Sequence, residues 1–195
     1  MFLTRAPSTE EIRALIAAQQ GMPFSYAEVG ATKAKLPTGY TVDHNRTQLG
    51  QGSMTYARAV AALRDWKQFD LGWTRIVPAQ TPILAGQTVA VLAKTFGVWS
   101  LNFSRIVYAV EEDRKFGFAY GTLSEHVERG EERFQIEWET QDDSVWYDIL
   151  AFSQPRHILV RATRPLARML QKRFARDSLQ TMREIAKGKE LRAKS

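Results

Sequence analysis

Cysteine is missing altogether from the 195 residues, and histidine occurs only 3 times. The first absence excludes disulfide bonds, thiolate zinc sites and a cysteine nucleophile. It also suits a reducing compartment. The second leaves little from which to build an imidazole metal site. His44, His126 and His157 stand far apart and match no ligand spacing, so neither metal nor cofactor is expected. Long apolar runs are missing too. Nothing approaches the ~18 uninterrupted apolar residues of a membrane span. The stretch MFLTRAPSTEEIRALIAAQQG is broken by Arg5, Glu10, Glu11 and Arg13, unlike a secretory signal. A cytoplasmic protein is the expectation. The Gly-x-Ser-x-Gly elbow of many serine hydrolases is also lacking. Gly50-Gln51-Gly52-Ser53 starts like a dinucleotide fingerprint, but Thr55 stands where the third glycine belongs. It reads instead as a turn in which Ser53 caps the next helix.

What is present describes one packed domain over 1–195, with 1–23 as an N-terminal helical appendage and 40–187 as the core. Apolar residues make up 44% of the chain, as in globular proteins. The net charge of +6 is unevenly spread. Residues 156–195 hold 12 basic and 3 acidic residues, leaving 15 basic against 18 acidic in the first 155. A mildly acidic body therefore carries a basic C-terminal element.

Ser8 and Glu11 form a capping-box pattern ahead of a helix with Ile12, Leu15 and Ile16 on one face, ended by Gly21 and Pro23. Segment 24–39 is irregular. A strand is expected over 40–49 and a helix over 54–66, striped by Tyr56, Val60 and Leu63. From Trp73 the period falls to two, and strands are expected near 73–77, 87–96, 103–111, 115–123, 132–140 and 144–153. After Pro155 the period is helical again, with Leu166, Leu170, Phe174, Met182 and Ile185 on one side. Consecutive short strands joined by tight turns make an antiparallel meander. Its apolar face needs a cover, and the terminal helix is the element long enough. The expected fold is therefore α+β and helix-grip-like (the START and Bet v-like architecture), a curved antiparallel sheet wrapped around a long C-terminal helix, often with a cavity between them.

The segments FSYAEVGAT (24–32), LGWTRIVP (71–78), FGFAYGTLSEHVERGEERF (116–134), SVWYDILAFSQPRH (144–157) and PLARMLQKRFARDSL (165–179) resemble a bacterial and plant family, domain of unknown function nineteen-ninety. The resemblance runs from about Phe24 to Arg183 with its motifs in order. It implies no particular reaction.

The strand faces carry the functional reading. Phe118 and Tyr120 share a face of 116–122, and Phe134, Ile136 and Trp138 align in the next strand. Trp146 and Asp148 align in 145–152, and Ile106, Tyr108 and Val110 in 105–110. Tyr108, Phe118, Tyr120, Trp138, Trp146 and Asp148 are the expected ligand-binding set, mostly apolar walls with a few polar groups. Their expected partner is a small apolar or amphipathic molecule. The same residues also suit a filled core. Asp148 and Arg105, lone charges in apolar strands, read as exposed, or as paired if buried. Glu131 and Glu132 cannot act together, because neighbours in a strand point to opposite faces. His126, among Glu125, Glu128, Glu131 and Glu132, reads as part of a solvated hairpin loop. No catalytic residue is assigned. An enzyme using a Tyr or Asp in the same cavity is the alternative, and polyanion binding through Arg161, Arg164, Arg168, Lys172, Arg173, Arg176 and Arg183 is a second.

Overall fold

The computed structural model describes residues 1–124, 128–155 and 164–188. The chain runs β1 (Phe2–Leu3), α1 (Thr9–Gln19), β2 (Thr41–Gln51), α2 (Gly52–Arg64), β3 (Thr74–Val77), β4 (Thr88–Thr95), β5 (Val98–Glu112), β6 (Lys115–Thr122), β7 (Glu128–Trp138), β8 (Ser144–Pro155) and α3 (Arg164–Ala186), with short 3-10 turns at Ala31–Lys33 and Lys67–Phe69. All strands join one antiparallel sheet in the order β2-β8-β7-β6-β5-β4-β3, and β1 pairs with β5. The α+β expectation and the terminal helix are as read from periodicity. The sheet is longer than expected: β5 begins at Val98 and β7 at Glu128.

The helix starts follow local chemistry. Ser8 accepts from the Glu11 amide while the Glu11 carboxylate accepts from the Ser8 amide, completing the capping box. At α2 the expectation fails. The helix begins at Gly52 with Gln51 as cap residue, and Ser53 lies inside the first turn. The cause is long-range: the Gly52 amide donates to the Asp143 carbonyl at 2.9 Å, tying the helix start to the β7–β8 turn.

Two apolar layers hold the sheet. On the inner face, Ile106, Phe116, Phe118, Phe134, Ile136, Val145, Tyr147 and Ile149 pack against Ala59 and Leu63 of α2, Trp66, Phe69, and Met182 and Ala186 of α3. On the outer face, Ile12 and Ile16 of α1 meet Val77, Ala90, Leu92, Leu101, Phe103 and Leu123. Ile12 has no exposed surface, so this packing makes α1 a second layer over the sheet. Leu166 departs from the expected stripe of α3, being 43% exposed.

Candidate functional site

The inner face is floored by aromatic rings because β6, β7 and β8 present residues of one parity in register: Phe118 opposite Phe134, and Ile136 opposite Tyr147. Phe69 lies over this floor, 5.5 Å from Phe134 and 6.1 Å from Tyr120, and Phe174 of α3 stacks 5.0 Å from Phe69. Tyr147 and Ser178 share a buried hydroxyl pair at 3.0 Å, which fastens α3 to β8.

Into this apolar surface β7 projects a carboxylate. Glu132 lies opposite Tyr120, whose hydroxyl donates to Glu132 Oε2 at 2.8 Å. Along the same face its neighbours are Phe134, beneath Phe174, and Glu128, which accepts from Gln171 of α3 at 2.5 Å. Glu132 thus lies along β7 between a residue bonded to Gln171 and one in ring contact with Phe174. Burial is the main reason its carboxyl is pushed up to about 7; the Tyr120 bond opposes the rise, and Glu128 and Asp43 add to it. Burial, with Glu132 alongside, also holds the Tyr120 phenol well above its ordinary range. The other Glu132 oxygen has no hydrogen bond among the described residues, and the side chain keeps some accessible surface.

Three more polar side chains belong to this side. Asn102 and Ser104 pair with Val91 and Val89, inner-face residues of β4, and Gln68 sits in the turn that carries Phe69. Asn102 Oδ1, Ser104 Oγ and both amide atoms of Gln68 are buried without a partner among the described residues. Buried polar atoms of this kind ordinarily bond to protein, water or ligand.

The outer face is chemically different. Glu131, 2% exposed, accepts from Tyr26 Oη and the Gly30 amide at 2.7 Å each, from the Thr32 amide at 3.0 Å and from the Thr32 hydroxyl. These bonds fasten segment 24–33 across the sheet. Gly121 permits the approach, since a Cβ there would lie 2.2 Å from the Tyr26 hydroxyl. Asp148 is buried on the same face, bridged by His44 Nε2 at 2.5 Å and an Arg133 nitrogen at 2.7 Å. The exposed position read for Asp148 is therefore corrected, and the pairing that burial demands is present. Arg105 is also held, donating to the Gln19 and Met22 carbonyls at 2.8 Å.

The six residues read from the sequence fall on both sides of the sheet. Phe118 and Tyr120 come together on the inner face. Trp138 shares that face but lies at the α2 end, 5.6 Å from Tyr56, with its indole donating to Asp143. Trp146 and Asp148 have the opposite parity to Tyr147 and lie outside, with Arg46 over the Trp146 ring at 4.6 Å. Tyr108 was aligned with Ile106, but a register shift between them sends it outward to the Thr32 hydroxyl at 2.8 Å. An extra residue, Val107, reverses the alternation beyond it. Glu132 went unrecognised, although its parity with Phe134 and Ile136 marks it as inward. His126 and His157, and the side chains of Arg161 and Arg164, lie outside the described residues. No cluster of three or more His, Asp or Glu able to hold a metal occurs among the described residues. None of their helices is long and apolar enough to cross a membrane.

On the flank of α3 a groove of about 550 Å³ is lined by Asn45 of β2 and by Lys172, Arg176, Leu179, Gln180, Arg183, Glu184 and Lys187. Asn45 pairs with Ile149 and so lies on the inner face of the edge strand β2, and four of the eight lining residues are basic.

Residues 25–181 match the family described as Domain of unknown function (DUF1990). The chain belongs to this family. Curated relatives named UPF0548 protein agree along nearly the whole length: one from Dictyostelium discoideum is 38% identical over 93% of this chain and 94% of its own. One from Deinococcus radiodurans is 35% identical over 90% and 94%. Among solved structures, Ara h 8.0201 superposes with a TM-score of 0.51 at 9% identity, covering 77% of this chain and 99% of its own. The di-domain ARO/CYC StfQ from the steffimycin biosynthetic pathway gives 0.52 at 11%, covering 76% and 52%. At such identities the likeness is one of fold, and the fold is helix-grip.

Proposed function

We propose that this chain is a binding module holding a small apolar or amphipathic molecule between the inner face of the sheet and α3. The observation that carries the reading is the Tyr120–Glu132 pair, a hydrogen-bonded phenol and carboxylate with one oxygen left over, set among Phe118, Phe134, Phe69 and Phe174. Apolar walls with a few convergent polar groups are the usual composition of a ligand site. The unpartnered atoms of Asn102, Ser104 and Gln68 supply further anchors on that side. Of the residues read from the sequence, Phe118 and Tyr120 are contacts in this reading and Trp138 closes the far end. Tyr108, Trp146 and Asp148 stiffen the outer face.

Native mass spectrometry of freshly purified protein tests the reading, together with titration of an apolar fluorophore. The expected result is a retained small mass, or saturable fluorophore binding weakened by Phe174→Ala. A bare protein mass with no saturable binding overturns it.

Two observations favour other uses. A carboxyl near pH 7 suits acid–base work, so a reaction on the bound molecule with Glu132 as proton carrier is the enzymatic alternative. The cationic rim of the α3 groove favours a polyanion contact instead.

A further inference from the structure

The inner-face site differs from a general greasy pocket in the sign of its polar end. The titratable groups that act on Glu132 are Tyr120 of β6, Glu128 of its own strand and Asp43 of β2, and Tyr147 of β8 feels its charge in turn. Arg168 of α3 is paired with Asp43 by two hydrogen bonds from its guanidinium. Arg133, next in sequence, points to the other face and is engaged by Asp148. No cation among the described residues bonds to Glu132 or lowers its proton affinity, whereas Glu128 and Asp43 both raise it. Arg168 also acts on Glu128, so Asp43 and Glu128 share its charge, while the second Glu132 oxygen is an acceptor with no cation bonded to it among the described residues.

Resting on the binding reading above, we infer that the ligand carries a hydrogen-bond-donating, cationic head, an amine on an aromatic or alkyl body, that docks on the free oxygen of Glu132 while Tyr120 holds the other. A carboxylate head is repelled by the same group. An alcohol can donate to the carboxylate but brings no positive charge of its own. The amine adds to its hydrogen bond an attraction between opposite charges that the alcohol lacks. Nothing covalent is involved: the amine arrives protonated and the carboxylate ionised.

The test compares three probes with one body, phenylbutylamine, phenylbutanol and phenylbutyrate, by calorimetry and by chemical-shift titration. The work is done at about pH 8.5, above the Glu132 carboxyl and below an alkylamine. The amine should bind roughly tenfold more tightly than the alcohol, a difference of about 1.4 kcal/mol. The carboxylate should be weakest. In Glu132→Gln the amine should lose that advantage, so that amine and alcohol bind about equally. Lowering the pH through about 7 should weaken the amine alone, as Glu132 takes up its proton. Equal or tighter binding of phenylbutyrate overturns the inference and leaves the binding reading standing. So does an amine preference that survives in Glu132→Gln. Should none of the three bind, both fall together. The wild-type comparison is decisive even if the variant does not fold.

Discussion

Glu131 and Glu132 are consecutive in β7 and do opposite things. Glu131 points outward and is saturated, accepting from Tyr26, Gly30 and twice from Thr32. Glu132 points inward and, among the described residues, accepts from Tyr120 alone. The first carboxylate is a fastener for segment 24–33; the second has bonding capacity to spare. The pleat that separates them is the simplest property of a strand, and it divides the molecule into a structural side and a candidate binding side.

Removing the fastener should destabilise the fold. Glu131→Ala leaves the Gly30 and Thr32 amides and the Tyr26 hydroxyl without their acceptor. At ~1–3 kcal/mol for each buried donor that finds no water, a loss of about 3 kcal/mol is expected in urea unfolding. Hydrogen exchange in residues 26–32 should accelerate more than in β7. Unchanged protection there would show that the segment is held by its rings alone.

Glu132 should make stability depend on pH in a defined direction. Its folded pKa, about 7, lies above the ordinary 4.5, so the folded state binds more protons than the unfolded state between these values. Stability must fall as pH rises through that window and level off above it. Glu128, also raised by burial, acts in the same direction from the lower end. In Glu132→Gln the decline should be shallower by up to on the order of 3 kcal/mol. Parallel stability–pH curves for the two proteins would refute the inward, desolvated carboxyl.

Tyr120→Phe should raise the Glu132 pKa further, because the phenol hydrogen bond lowers it. Carboxyl titration by infrared or carbon-13 spectroscopy reads this directly. A downward shift would mean that the phenol does not serve the carboxylate.

Phe174 joins α3 to the floor through Phe69 at 5.0 Å and Phe134 at 6.3 Å. It is only partly buried, so Phe174→Ala should cost about 2–3 kcal/mol, below the full range for a core phenylalanine. A denaturation midpoint equal to wild type would show that the helix is held elsewhere, for example by Tyr147 and Ser178.

If the α3 groove meets polyanions, affinity for heparin should fall steeply with salt through counterion release. Lys172→Glu with Arg176→Glu should flatten that slope without touching amine binding on the inner face. Binding insensitive to both salt and charge reversal would remove the groove from consideration.

Much of this was legible in the residues. The capping box at Ser8, the strand read over 40–49 and found at Thr41–Gln51, the meander from Trp73 and the helix after Pro155 are all written in local periodicity and turn residues, which act over a few positions. Phe118 and Tyr120 follow from the same parity. The misplacements have particular causes. Tyr108 was misread because one extra residue at Val107 reverses the alternation, and only pairing with β6 reveals the shift. Ser53 lost its capping role to a bond from Gly52 to Asp143, 91 positions away. Trp146 and Asp148 were grouped with the inner aromatics because parity within one strand gives two faces but does not say which is which. The register of β8 against β7 and β2 settles that.

The sequence by itself determined the kinds of element, their order and the α+β class, because backbone geometry, capping and side-chain alternation are set by near neighbours. Only the tertiary structure decided that segment 24–33 is fastened to the outside by Glu131, that Asp148 is buried between His44 and Arg133, and that Glu132 sits desolvated beneath α3. A carboxylate's proton affinity and the burial of a charge depend on groups brought from distant parts of the chain. Those distances close only when the sheet takes its register and α3 lies down on it.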